Sequence, residues 1–240
     1  MNIVITMAGA GSRFRKAGYK QPKYMIEVNG KTLFEWSMLS LSDYFDDKSS
    51  KFIFIAREEN NSRSYVEENC KKLGISNVSV VELKEPTDGQ ATSAMLAEPY
   101  WNEEDELIVY NIDTYVEEGY LTKDRISGDG FIPCFNAPGD HWSFVKLDDD
   151  GHAIEVREKQ RISDNCTIGL YYFKSAKLYA EIYEKYYQDG VNIEMNEKYI
   201  APLYNFMIKN GYTVDIDLVS QEKVHILGTP EEVEAFNRRK

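Results

Sequence analysis

Residues 2–31 read NIVITMAGAGSRFRKAGYKQPKYMIEVNGK, and this stretch decides the fold. Its first five residues form a largely apolar run that predicts a buried strand, and small residues with Gly9 and Gly11 follow at once. The ligands of α/β sheets bind at loops that leave the carboxyl ends of parallel strands. We therefore predict an α/β sheet whose first loop contacts a ligand.

An excess of positive charge marks the same stretch. It contains six cations and a single acid, although the whole chain has a formal net charge of −12. The cations are Arg13, Arg15, Lys16, Lys20, Lys23 and Lys31. Charge alone leaves two explanations open, a solvated surface or a binding site for an anion. The motifs of the loop have to decide between them.

Two common phosphate-binding motifs do not fit this loop. In the dinucleotide motif GxGxxG the third glycine would fall at Phe14, and Gly18 and Pro22 interrupt the helix that should begin at once. The GK(S/T) sequence of a Walker loop is also missing. Small residues still let backbone N–H groups approach phosphate oxygens closely, so we predict a flexible basic loop that holds a triphosphate.

Composition limits the class of protein. A chain of 240 residues with 42% hydrophobic content can bury one large core. No apolar run approaches the roughly 20 residues of a membrane span and no cationic leader precedes Ile3, so we expect a cytoplasmic protein without membrane insertion. Three scattered cysteines and three histidines without metal-ligand spacing argue against a disulfide framework and zinc. Because the cations are confined to one loop, we expect a small ligand and no nucleic acid.

Short apolar runs alternate with helical patterns through the first half of the chain. Strands are predicted at 2–6, 51–56, 77–83 and 106–112. Helices are predicted between them: one capped by Thr32, one over 62–73 capped by Asn61, and one over 89–97 opened by Asp88. This alternation is typical of βαβ units and predicts a doubly wound, mainly parallel, Rossmann-like sheet.

The second half has a different pattern. Strands separated by turn clusters predict an antiparallel, β-rich addition to the sheet, and they are placed at 131–135, 142–147, 153–156 and 167–173. Helices at 175–187 and 194–209, a strand at 213–219 and a last helix follow. That last helix has Thr229 as its cap and a glutamate, Glu232, in the capping-box position.

Six short segments stand in a fixed order along the chain. The first is Gly9-Ala10-Gly11-Ser12-Arg13 together with Pro22-Lys23, and it is followed by TDGQA at 87–91, YNID at 110–113, EK at 158–159, TIGLY at 167–171 and GTPEE at 228–232. Their order and spacing resemble the motifs of the sugar-phosphate nucleotidyltransferases, whose opening motif is GxG(S/T)R followed by PK. The resemblance covers nearly the whole chain and is closest to short, single-domain members from polysaccharide pathways.

This resemblance implies an enzyme that joins an NTP to a phosphorylated sugar or related small molecule and releases pyrophosphate. The acceptor phosphate is already ionised at neutral pH, so the site needs cations to overcome repulsion between anions rather than a general base. Arg13 is assigned to the β- and γ-phosphates and Lys23 to the α-phosphate. Asp113, at the end of a strand, is assigned to Mg²⁺.

The resemblance also implies two sets of binding residues. The nucleotide is expected to contact Met7, Ala8, Gly9, Gly11, Ser12, Arg13, Lys23, Glu82, Asp88, Gly89 and Gln90. The acceptor is expected to contact Glu158, Lys159, Gly169 and Glu197. We therefore expect one domain over residues 1–240, with a nucleotide-binding half at about 1–115 and an acceptor-binding half at about 116–240. A homo-oligomer is compatible with the sequence.

Glu82 bears on the choice of base. Many relatives place a glutamine about five residues before the glycine loop, where it reads a pyrimidine edge, and a loose alignment puts Glu82 there. A carboxylate accepts a hydrogen bond from the amine of cytosine and repels the O4 atom of uracil or thymine. CTP is therefore slightly favoured, although a solvent-facing glutamate explains this position more simply.

The other candidates also have simpler explanations. Arg13 could be a surface residue, Lys23 a partner of Glu27 one helical turn away, and Asp113 a turn residue. Glu158 and Lys159 could form a surface ion pair.

One position departs from the family pattern. Many relatives carry a second metal-binding aspartate two residues before the glycine of the GT(P) segment, and here that residue is Ile226. Asp215 and Asp217 share one face of a nearby strand, but solvent exposure explains them equally well. We expect a magnesium site with one aspartate, completed by nucleotide oxygens and water.

Two other functions remain as alternatives. One is a non-catalytic module that binds a nucleotide or a sugar, although pure binding does not need a charge placed on the leaving group. The other is a glycosyltransferase, whose DxD motif is missing where the sequence reads NIDTY at 111–115.

Overall fold

The computed structural model describes residues 1–238. Strands and helices alternate in its first half, as predicted. They are β1 (Asn2–Thr6), α1 (Ser12–Lys16), β2 (Glu27–Val28), β3 (Lys31–Thr32), α2 (Leu33–Leu39), β4 (Lys51–Arg57), α3 (Ser62–Leu73), β5 (Val78–Leu83), α4 (Gln90–Met95), β6 (Leu107–Asn111) and β7 (Thr114–Val116). The second half adds five short strands before its first helix. Its elements are β8 (Gly130–Asn136), β9 (Ser143–Leu147), β10 (Ala153–Glu158), β11 (Asn165–Thr167), β12 (Leu170–Phe173), α5 (Ala176–Tyr186), α6 (Leu203–Lys209), β13 (Val214–Leu218), β14 (Val224–Ile226) and α7 (Pro230–Asn237).

Ten strands form one mixed sheet, in the order β10-β9-β11-β8-β12-β6-β1-β4-β5, with β13 paired to β8. The strands of the first half, β6, β1, β4 and β5, are parallel. β12 pairs antiparallel with both β6 and β8, and so connects this parallel part to the antiparallel strands of the second half. The predicted fold class, a parallel α/β sheet with an antiparallel addition, is confirmed.

The sheet is covered on both faces because successive side chains of each strand point to opposite sides. Ile3 and Ile5 of β1 pack in one core cluster with Phe34 of α2. Val4, between them, packs in the other cluster with residues of α4 and α6 such as Ala94. Strands that are apolar on both faces are typical of the parallel part of a doubly wound sheet.

Helix α2 fixes the turn at the end of β6. Its first turn has the predicted cap, since Thr32 accepts from the Glu35 backbone and the Glu35 carboxylate reaches back to the Thr32 N–H. Ser37, fully buried, donates to the Ile112 carbonyl at 2.8 Å, and Ser40 accepts from the Val116 N–H at 2.9 Å. Ser37 and Ser40 therefore anchor the turn that carries Asp113 to α2.

Three local predictions differ from the structure. A five-residue helix, α1, begins directly after Gly11, where a loop was expected. The strand predicted at 167–173 is interrupted at Gly169, whose φ of 93° breaks the extended conformation. The helix predicted over 194–209 begins only at Leu203, and the irregular segment before it includes residues with positive φ such as Met195 and Asn196.

No helix within residues 1–238 combines the length and apolar character required to cross a bilayer.

Replacing Ser37 by Ala tests the anchoring of this turn. The Ile112 carbonyl would lose its buried donor, which costs about 1–3 kcal/mol of unfolding free energy. Thermal unfolding should show a drop of about 2–4 °C for each kcal/mol lost. Ser64→Ala, at an exposed position of α3, is the control and should leave the melting temperature unchanged. An equal melting temperature for both variants would contradict the anchoring role of Ser37.

Candidate active site

Two cavities open at the carboxyl ends of β1 and β6. Cavity A has a volume of about 500 Å³ and is lined by the loop after β1 and the loop before α4, with Thr6, Met7, Ala8, Gly9, Ala10, Lys23, Pro86, Thr87, Gly89, Gln90, Ser93, Asn111, Asp113 and Glu197. Cavity B has about 380 Å³, and its residues from the second half include Trp142, Ser143, Glu158, Lys159, Thr167, Ile168, Gly169, Tyr171, Tyr199, Ile200, Ile226, Gly228 and Glu232. Both cavities lie where ligands of α/β sheets bind.

Three side chains line both cavities: Gln90, Asn111 and Asp113. The Gln90 amide donates to the Thr6 hydroxyl at 3.0 Å and to the Asn111 side-chain oxygen. Gly169 allows this arrangement, because a Cβ atom there would lie 2.4 Å from the Asn111 amide nitrogen. The boundary between the cavities is therefore a small hydrogen-bonded group with an acid beside it.

The acid at this boundary is paired with a lysine from the basic stretch. The Lys23 Nζ atom lies 2.6 Å from Oδ2 of Asp113, and both side chains are partly buried. Burial alone would raise the pKa of Asp113, but the charge and hydrogen bond of Lys23, with the charge of Arg13, hold this pKa below its usual range. Asp113 is thus an ionised acid at neutral pH, and Lys23 pairs with it.

The charge of Arg13 acts on Asp113 without a direct ion pair between the two side chains. Arg13 is exposed on α1, and it lines cavity B together with Asp113, whereas Lys23 lines cavity A. The N-terminus of α1 follows Gly11, whose φ of 60° is readily adopted by glycine. The two cations predicted for the phosphates therefore each share a cavity with Asp113, Arg13 in cavity B and Lys23 in cavity A.

The loop before α4 is held by a segment far along the chain. The Lys198 backbone N–H donates to the Asp88 carbonyl at 2.8 Å, and the Lys198 carbonyl accepts from Ala91 at 3.0 Å. Only glycine fits at residue 89, since its φ is 147° and a Cβ atom would lie 2.3 Å from the Lys198 carbonyl oxygen. The Asp88 carboxylate pairs with Lys198 Nζ at 2.9 Å. Asp88 thus shapes this loop, and its side chain is not among those lining cavity A.

The predicted acceptor residues divide between the cavities. Glu158, Lys159 and Gly169 line cavity B, whereas Glu197 lines cavity A. Glu158 accepts a hydrogen bond from the Ser143 hydroxyl and lies 3.8 Å from Lys159 Nζ. Burial raises the pKa of Glu158 even though Ser143 and Lys159 oppose the shift.

Other predicted residues lie outside the two cavities. Glu82 accepts from the Arg63 guanidinium at 3.0 Å and lines neither cavity, because its side chain points toward α3. Ser12 does not line them either, and Gly11 borders a small adjoining cleft with Lys23. Asp215 pairs with His152 at 2.6 Å, and Asp217 pairs with Arg125.

Comparison with known proteins identifies the family. No protein-family model matches the chain, and no curated protein matches it. The crystal structure of a nucleoside-diphosphate-sugar pyrophosphorylase from Vibrio cholerae RC9 superposes with a TM-score of 0.91 and is 38% identical in sequence. The match covers 99% of this chain and 100% of that one. This chain belongs to the sugar-phosphate nucleotidyltransferase family.

More distant solved structures have the same fold. An inositol-1-phosphate CTP transferase from T. maritima is 17% identical, with a TM-score of 0.76 and coverage of 96% of this chain and 90% of that one. A protein from Bacillus anthracis, described as a glucose-1-phosphate thymidylyltransferase, is also 17% identical, with a TM-score of 0.79 and coverage of 100% and 96%. Because both structures are only 17% identical in sequence, their similarity shows that the nucleotidyltransferase has the same fold and shows nothing about its substrates.

Glu232 of the nucleotidyltransferase was predicted to complete the cap of the last helix, but its carboxylate has a different environment. Thr229 caps α7 by accepting from the Glu232 backbone at 3.2 Å, as expected. The Glu232 carboxylate instead lines cavity B, and its Oε2 atom is buried without a hydrogen-bond partner among residues 1–238. Sequence reasoning missed it because a capping-box glutamate is itself a common pattern.

The raised pKa of Glu158 predicts a stability effect that depends on pH. A carboxyl whose pKa is higher in the folded state than its ordinary value of 4.5 contributes stability below pH 4.5, and this contribution is lost as the pH rises through the folded pKa. Glu158→Gln cannot ionise. We therefore expect it to melt higher than the unsubstituted nucleotidyltransferase at pH 8 and equally at pH 4.

The control for this measurement is Glu155→Gln, on the same strand but paired with Arg157 at 2.7 Å. It should show no such gain at pH 8. A melting temperature for Glu158→Gln that falls at pH 8 would show that the ionised carboxylate stabilises the fold, contrary to this prediction.

Proposed function

We propose that this nucleotidyltransferase joins an NTP to a phosphorylated sugar or a related small molecule and releases pyrophosphate. The observation that carries the proposal is the ion pair of Lys23 with Asp113 at the boundary of two cavities, one of which Arg13 also lines. The family membership shown by the Vibrio cholerae pyrophosphorylase supports a nucleotide-sugar product. The resemblance to short members from polysaccharide pathways also supports a role in polysaccharide biosynthesis.

Cavity A is proposed for the nucleotide and cavity B for the acceptor. Apart from Glu197, every residue that lines cavity A comes from the first 115 residues of the chain. Most residues specific to cavity B come from the second half, among them Ser143, Glu158 and Lys159. This division supports one domain over residues 1–240 with a nucleotide-binding half and an acceptor-binding half.

The chain's own residues supply charge and position. Lys23, between the glycine loop and Asp113, is placed for the α-phosphate, where a compact cation reduces repulsion of the incoming phosphate. Arg13 is proposed for the β- and γ-phosphates, which would extend past Asp113 toward α1. Since the acceptor phosphate is ionised at neutral pH, no residue has to remove a proton from it.

The lining of cavity B fits an acceptor rich in hydroxyl groups. Glu158 and Ser143 offer oxygens, and the aromatic rings of Trp142 and Tyr171 provide an apolar wall. Lys159 is proposed for the acceptor phosphate, and its Nζ lies 2.9 Å from the Tyr199 hydroxyl. Glu197 lines cavity A, so its contact is proposed with the ribose rather than with the acceptor.

The predicted preference for CTP loses its basis in Glu82. That carboxylate is paired with Arg63, so it offers no acceptor to a cytosine amine in cavity A. Cavity A is lined by residues 8–10, which offer backbone groups, and by Thr87, which offers a hydroxyl. We propose that these groups form hydrogen bonds with the base. A turnover assay with each NTP identifies the nucleotide that the enzyme uses.

A divalent cation fits the acid at the boundary. Asp113 is ionised and lies where phosphates would meet, and a carboxylate is the type of ligand that Mg²⁺ prefers. No group of three or more His, Cys, Asp or Glu within residues 1–238 could hold a metal by itself. Phosphate oxygens and water must therefore complete the shell. When bound, Mg²⁺ would supply positive charge to the reacting phosphates.

The test is turnover with ATP, CTP, GTP and UTP, each with Mg²⁺ and a panel of sugar and polyol phosphates, measured as pyrophosphate release. Release only when an NTP and an acceptor are both present supports the proposal. Binding of an NTP without turnover across the panel would instead support a silent binding module. A nucleotide-sugar donor consumed without any NTP would indicate a glycosyltransferase.

Lys23→Ala and Arg13→Ala should each lower kcat by about 10²–10³, the cost of removing one group that stabilises transition-state charge. Lys16→Ala, an exposed cation on the same short helix as Arg13, is the matched control and should retain activity. If all three variants lose activity equally, the effect reflects the overall charge of the loop rather than these two residues.

A further inference from the structure

The carboxylate of Glu232 lacks the partner that its position normally provides. In α2 the equivalent residue, Glu35, accepts from the Thr32 backbone N–H at 2.7 Å and completes a capping box. In α7 only the Thr229 half of this arrangement forms. Oε2 of Glu232 is buried and accepts no hydrogen bond within residues 1–238. A buried carboxylate oxygen without a partner is costly, so it calls for an explanation.

The unpartnered oxygen and the Asp113 carboxylate both lie beside Gly228. A Cβ atom placed on Gly228 would be 3.4 Å from Oδ2 of Asp113 and 3.6 Å from Oε2 of Glu232. The space beside Gly228 is therefore bordered by one oxygen from each acid. The Leu227 backbone N–H donates to the Asp113 carbonyl at 2.8 Å, which holds the residues before α7 against the turn after β6.

Cavity B also includes residue 226, where the family resemblance implies a second metal-binding aspartate. Ile226 lines cavity B together with Asp113, Gly228 and Glu232, and its side chain offers no oxygen. Glu232 is six residues further along the chain but reaches the same cavity, because β14 ends at Ile226 and α7 begins at Pro230. A second carboxylate is thus present, contributed by a helix.

We propose that Glu232 and Asp113 together hold a divalent cation at the boundary of cavities A and B. Two carboxylate oxygens, with phosphate oxygens and water, are a donor set that suits Mg²⁺. A cation between the two acids would also give Oε2 of Glu232 the partner it lacks. The inference rests on the proposed function in one respect, because the phosphates of the nucleotide complete the shell.

The experiment measures Mn²⁺ binding by electron paramagnetic resonance, with the α,β-methylene analogue of the NTP that the turnover panel identifies. Glu232→Gln keeps the backbone cap and the size of the side chain. We expect it to weaken Mn²⁺ binding about 10-fold or more and to raise the Mg²⁺ concentration needed for half-maximal turnover. Affinity for the analogue in EDTA should not change. Glu231→Gln, the exposed neighbour in the same turn, is the matched control and should bind Mn²⁺ normally.

A double variant keeps the inference testable if removal of the carboxylate disturbs α7. Ile226→Asp combined with Glu232→Gln returns an oxygen ligand to the same cavity from β14. We expect this combination to recover Mn²⁺ affinity relative to Glu232→Gln alone.

Equal Mn²⁺ affinity for Glu232→Gln and the unsubstituted enzyme, with turnover intact in the latter, would overturn this inference and leave the proposed function standing. A variant that changes only the KM of the acceptor would also overturn it, by making Glu232 an acceptor ligand. If the unsubstituted enzyme turns over no NTP at all, the proposed function fails first and the inference fails with it.

Discussion

The ion pair between Lys23 and Asp113 is the interaction on which the site depends. It joins the basic stretch after β1 to the turn after β6, two neighbouring parallel strands whose carboxyl ends meet at one edge of the sheet. Asp113 is kept ionised by this pairing although it is largely enclosed. Cavities A and B meet at this acid, so under the proposed function the nucleotide and the acceptor are positioned relative to one carboxylate.

Much of this architecture could be read from the sequence because its signals are local. The strand at 2–6, the cap at Thr32 and the Asp113 strand end each rest on patterns within a few residues. The irregular segment before Leu203 could not be predicted, since its shape comes from pairing with the loop at residue 89 far away in the chain. The environment of Glu82 was missed for the same reason, because Arg63 belongs to another element.

The environment of Glu232 shows a second limit of sequence patterns. Glu232 fits the sequence pattern of a capping box, but its carboxylate borders the space beside Gly228 and Asp113 instead of completing the cap. This placement is visible only in the three-dimensional structure. A family motif read position by position reports a missing ligand at Ile226, whereas the three-dimensional arrangement offers an oxygen from α7. In the proposed metal site, Glu232 would supply the carboxylate that the family resemblance implies at residue 226.

The contact between Gly89 and the backbone of Lys198 also constrains how this chain can diverge. The two segments are more than 100 residues apart, yet they leave no room for a side chain at residue 89. A homologue with any other residue there must shift the segment at 198 or shorten it. Because the crowding atoms at 198 belong to the backbone, the constraint falls on the path of that segment and not on its residue type. Insertions near 198 should therefore be found in homologues whose loop before α4 has also been remodelled.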